Sequence, residues 1–173
     1  VVASLNFNQD DLSAAIGSVQ LEGLPDLVER RRDLVRRIGN HISPLPGVIV
    51  PDYHPKAEPS YWYWRLGVDE TELTMDKSTF CDALDAEGIP LNPRYDSIPH
   101  RGEWFQEQRV FGDSGYPWKA PEYDGDRNPD PDCPNMESVL DTYFNVTIYE
   151  SWGSEEVDDI TRAFEKVATA YAK

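Results

Sequence analysis

The sequence predicts an α+β fold: a small mixed or antiparallel sheet covered by helices, with a long helical segment at its amino-terminal end. Apolar residues recur at helical spacing in both the opening and the closing segments of the chain. Aromatic and β-branched runs of strand character, SYWYWRLGV and TYFNVTIY, lie between them. The order helix, strand, helix, strand, loop, helix, strand, helix then layers helices on one sheet. At 173 residues, with no internal repeat, the chain reads as one domain able to bury its own core.

The elements follow in order. Asp10 or Asp11 caps a first helix in which Leu12, Ile16 and Val19 share a face up to Leu21. Gly23 supplies a stop, and Pro25 stands where a second helix would begin. That second helix carries Leu27, Leu34, Ile38 and Ile42 on one side. Its arginines fall three or four residues from Asp26, Glu29 and Asp33, which reads as a salt-paired solvent face. A Pro-rich connection leads into SYWYWRLGV. The stretch DKSTFCDALDAEG is a helix capped by Asp76 and closed by Gly88, and IPLNPRY is a short strand interrupted by Pro93. From Val110 to Asp132 the density of Gly, Pro and Asp predicts an irregular surface loop. A short helix starts near Pro134. In TYFNVTIY, Phe144, Val146 and Ile148 share one side. The last helix is capped by Ser154, opened by Glu155 and Glu156, and striped by Val157, Ile160, Phe164, Val167 and Tyr171.

Bulk properties narrow the function. A net charge of −16 opposes binding to nucleic acid. No apolar run reaches membrane-spanning length, so no membrane partner is expected, and a cytoplasmic location is. Cys81 and Cys133 read as reduced packing residues. Acidic residues spread over helix surfaces suit either a salt-loving source or simply an acidic protein.

Taken alone, the residues assemble no active site. Asp124, Asp126, Asn128 and Asp130 alternate as calcium ligands do, but Pro129 replaces the turn glycine and Asn135 occupies the place of the bidentate Glu. No metal site is expected. His41, His54 and His100 share no ligand spacing, and Lys77, in TMDK at a helix start, reads as a surface lysine.

The run LNFNQDDLSAAIGSVQLEGLPDLVERRRDL resembles a segment of the DegT-type sugar aminotransferases, fold-type I pyridoxal-phosphate enzymes that aminate keto sugars on nucleotide carriers. Their pattern G-x-N-[YF]-R-[ML]-[ST]-E-[LI]-x-A-A-I-x-x-x-Q-L is met by Asn6, Phe7, Leu12, Ala14, Ala15, Ile16, Gln20 and Leu21. Ser4 stands in the Gly place, Asn8 in the Arg place and Gln9 in the Met place. The blocks DALDAEGIPLNPRY, SGYPW and CPNMESVLDTYFNVTIYESWGSEEVDDITRAFEKVA continue the similarity in the family's order.

This resemblance implies that residues 1–173 are a small carboxy-terminal domain, with residues 1–24 the loop and helix joining a missing large domain. That domain would bind pyridoxal 5'-phosphate and supply the Schiff-base lysine upstream of Val1, so no catalytic residue is expected in this chain, and the chain alone is expected to be inactive. The resemblance implies a homodimer in which Asn6 reaches the neighbouring subunit's cofactor phosphate. It also places Tyr95 and His100, in YDSIPH, at the sugar, with Arg94 a partner for the substrate's phosphates; the other partners are a keto sugar and an amino-acid donor. Sugar dehydration by a family member with His for Lys, and a non-catalytic interaction module, are the alternatives.

Overall fold

Leu34, Val35, Ile38 and Ile42 recur on one side of a helix, and all four are buried in the core. They belong to the second half of α1 (Asp11–Ile42), the longest element in the computed structural model, which describes residues 9–173. Asp10 caps α1 by accepting from the Ser13 amide at 2.7 Å. The expected break at Gly23 and Pro25 does not occur. Gly23 keeps a helical backbone, and Pro25 sits inside the helix. A proline there deprives one carbonyl of its intrahelical donor. This part of α1 is exposed, so water can satisfy that carbonyl, and the strong helix formers on either side carry the helix through.

The chain then forms β1 (Val48–Ile49), a two-residue strand hidden in the Pro-rich connection, and β2 (Tyr63–Val68). Next come α2 (Lys77–Ala86) and β3 (Leu91–Asn92). Asp76 caps α2 as expected, and Gly88 ends it with a φ of 89° that favours glycine. A single turn, α3 (Glu103–Gln106), precedes the long loop; α4 (Pro134–Thr142), β4 (Tyr143–Thr147) and α5 (Ser154–Ala170) complete the chain. Ser154 is the first residue of α5 rather than its cap. The cap is Gly153, whose amide donates to Glu156 at 2.7 Å.

The four strands lie in the order β1-β2-β4-β3, every neighbour antiparallel. Trp64, Leu66 and Val68 of β2, with Phe144 and Val146 of β4, face α1, α2 and α5 and form the core with Phe80, Leu84 and Phe164. Each such side chain removed from water contributes about 1.5–3 kcal/mol. The alternate residues point to the opposite face, as strand geometry requires. There Gly67 is needed for close approach: a Cβ would lie 3.0 Å from the Tyr143 ring and 3.1 Å from Ile49.

The loop after α3 is irregular, as expected, but not loose. Trp118 and Ala120 are buried, and the Trp118 ring meets Phe105 edge-on at 5.6 Å. Arg127 ties the loop by donating to the carbonyls of Trp118, Ala120 and Tyr123.

Candidate functional site

On the face of the sheet away from the helices, Arg65 of β2 stands directly opposite Asn145 of β4. Asn145 is buried, and its Oδ1 accepts from Arg65 Nε at 3.4 Å, a long contact that orients the guanidinium. The two residues border a cavity of about 180 Å³ walled by Tyr95, Tyr143 and the Met136–Leu140 side of α4. On its other flank Arg65 borders an open cleft with Tyr61, Trp62 and Tyr63. Burial pushes the phenols of Tyr53 and Tyr61 above the ordinary value, so both remain hydrogen-bond donors at neutral pH.

Tyr95, Ile98 and the Met136–Leu140 side of α4 form the wall over this face, and Lys77 fastens the chain on both sides of it. Lys77 is buried, contrary to the surface reading. Its Nζ donates to the carbonyls of Pro93 at 3.0 Å, Leu140 at 2.5 Å and Tyr143 at 3.2 Å. Two of these carbonyls lie at the end of α4, where a cation also meets the negative end of the helix dipole. Desolvation lowers the Lys77 pKa from its ordinary value.

Of the expected site residues, Tyr95 lines the cavity beside Arg65. The Arg94 guanidinium turns to α4 instead, 2.8 Å from Asp141 and 3.7 Å from Glu137, with Asp96 at 3.7 Å. Glu137 also pairs with Arg101. His100 sits on a 3-10 turn at Pro99–Arg101, held by the buried Ile98, and its carbonyl accepts from Gln106 at 2.5 Å. Asn6 lies outside the described residues. Arg65 and Asn145 were not singled out by the sequence, although period-two alternation puts both on the polar side of their strands. A lone arginine within an aromatic strand was the available signal.

The groove between α1 and residues 50–61 is larger, about 590 Å³. Its cations are already matched: Arg32 to Glu29 and Glu58, Arg36 to Glu29 and Asp33. Among the described residues no cluster of three or more His, Cys, Asp or Glu converges on a metal-sized space, and no helix is long and apolar enough to cross a membrane.

Residues 2–165 match the family model of the DegT/DnrJ/EryC1/StrS aminotransferase family. The chain belongs to this family. This DegT-family chain is 26% identical to the spore coat polysaccharide biosynthesis protein SpsC of Bacillus subtilis over 161 residues, 92% of the chain and 37% of that protein. Over 57 residues it is 40% identical to the dTDP-4-dehydro-2,3,6-trideoxy-D-glucose 4-aminotransferase of Saccharopolyspora spinosa, spanning 32% of the chain and 15% of that enzyme. The crystal structure of the aminotransferase TlmJ from Streptoalloteichus hindustanus has the same fold over 94% of the chain and 37% of TlmJ, with a TM-score of 0.69 at 19% identity. The DegT-family chain thus spans little more than a third of the proteins it matches along its length.

Proposed function

We propose that the chain is the small domain of a cytoplasmic, homodimeric, pyridoxal-phosphate-dependent aminotransferase that moves an amino group from an amino-acid donor to a nucleotide-linked keto sugar. The observation that carries this reading is the family match across residues 2–165, in a chain spanning 37% of SpsC. The aminotransferases among the relatives favour amino transfer over sugar dehydration and over a non-catalytic module.

Pyridoxal phosphate needs a lysine amine at its aldehyde, and the described lysines do not fit that need. Lys77 is committed to three carbonyls, Lys166 to Glu87, and Lys173 to the carbonyls of Glu70 and Thr71. Lys119 lies along Gly115, and Lys56 is exposed. We therefore assign the cofactor's cradle and its lysine to a preceding domain. Residues 1–24 join the two, and the exposed Leu12, Ile16 and Val19 supply an apolar stripe for that junction. Asn6 reaches the cofactor phosphate of the neighbouring subunit. Tyr95 and His100 meet the sugar. Arg94 serves the substrate's phosphates by exchanging its Asp141 partner for them.

The test is an assay of a polypeptide carrying the preceding domain, supplied with an amino-acid donor and a nucleotide-linked keto sugar. The expected outcome is an amino sugar and the absorbance of bound pyridoxal phosphate, neither given by the 173-residue chain alone. A longer polypeptide that binds no cofactor, or dehydrates the sugar without aminating it, overturns the assignment.

A further inference from the structure

Acidic residues outnumber basic ones 32 to 16 in this chain, and its arginines are mostly consumed by them. Arg31, Arg36, Arg94, Arg109 and Arg162 each lie within 3.1 Å of a carboxylate oxygen. Arg127 is spent on backbone carbonyls. Arg30, also without a carboxylate partner among the described residues, lines a groove with Asp26, Glu29 and Asp33. Arg65 differs: it has no carboxylate partner among the described residues, and neither cleft that it borders contains an Asp or Glu. Its one contact is Asn145 Oδ1 on Nε, which leaves the two Nη groups to grip a pair of oxygens.

Asn145 adds the second half of the arrangement. It is one of two buried polar side chains among the described residues, and it lines the cavity. With its oxygen facing Arg65, its amide N–H groups have no acceptor among the described residues. They border the cavity, where an oxygen of a ligand can accept from them.

We propose that Arg65 and Asn145 form an oxyanion-binding site on the open face of the sheet, taking the carboxylate or phosphate group of a substrate whose remaining atoms lie along Tyr95 and Tyr143. Arg65 supplies the charge and a bidentate fork; Asn145 aims the fork and adds a neutral donor. The site rests on the aminotransferase reading only for the source of the anion: the donor amino acid carries a carboxylate and the nucleotide-linked sugar a diphosphate.

Calorimetric titration of the 173-residue chain tests this without any turnover, so its failure leaves the aminotransferase assignment standing. Glutarate and pyrophosphate are the two probes, used in about 0.15 M salt to screen the net negative charge. One of them is expected to bind. Arg65→Met should weaken that binding about tenfold or more, the equivalent of one charge-assisted hydrogen bond. Asn145→Asp, which keeps the side-chain shape and hands Arg65 an internal carboxylate, should abolish it while circular dichroism stays unchanged. Glutarate alone binding assigns the site to the donor carboxylate, and pyrophosphate alone to the diphosphate. Binding of neither probe, or equal binding by wild type and Arg65→Met, overturns the proposal.

Discussion

On one face of the sheet Trp64, Leu66, Phe144 and Val146 are each at most 2% exposed and meet three helices. On the other, Tyr63 and Arg65 remain exposed, while the buried Asn145 lies beneath a wall of loop and short helix. Both faces come from the same two strands, alternating residue by residue. The difference teaches where stability and chemistry are separated in this domain. The dry face holds the fold through volume and apolar area. The wet face carries groups whose hydrogen bonds are incompletely used, and its wall depends on a few specific polar fastenings.

The widest gap between the faces should appear in stability. Leu66→Ala removes a fully buried side chain between sheet and helices and should destabilise the chain by about 2–5 kcal/mol. Tyr63→Ala, two strand positions from Arg65 on the wet face, should change stability by under about 1 kcal/mol. Urea unfolding of both variants measures the contrast, and equal losses would remove it.

A smaller loss is expected where the wall is fastened. Lys77→Met keeps the apolar stem of the side chain but strips the donor from the Pro93, Leu140 and Tyr143 carbonyls. Leaving buried acceptors unpaired should cost about 2–3 kcal/mol. Amide hydrogen exchange should accelerate around residues 139–143 more than in α5. Uniform acceleration across the domain would mean that Lys77 supports the whole core and not the wall in particular.

Much of the dry face was legible in the sequence, because its signals are local. The stripe from Val157 to Val167 and the alternation of Phe144, Val146 and Ile148 each lie within one element, and Asp76 caps its helix from three residues away. The wet face was not, because its partners are distant. Lys77 meets carbonyls 16, 63 and 66 residues on, and Arg65 meets Asn145 across 80 residues. A helix-start lysine among polar neighbours carries no sign of such burial. The uninterrupted α1 was missed for a third reason. Gly23 and Pro25 are real stop signals, but in a solvated stretch their penalty is one carbonyl turned to water, and the flanking residues favour helix enough to bear it.

The finest effect concerns which arginine on the wet side is free. Asp141 is held below its ordinary pKa of 3.8, first by the hydrogen bond from Arg94 and then by that residue's charge. A carboxylate depressed in the folded state stabilises the fold at any pH above its unfolded value. That contribution is lost as pH falls through the lower, folded value. The pair is solvent-exposed, so the consequence is local: as pH falls through that lower value the Arg94 side chain should leave α4 while the core persists. Carbon-13 titration of the Asp141 carboxyl should give a midpoint under 3.8 in the wild type, and Arg94→Met should move it up toward that value. A wild-type midpoint at or above 3.8 would mean that Arg94 is not committed to Asp141. Arg94 would then be as available to an anion as Arg65, and the distinction drawn between them would fail.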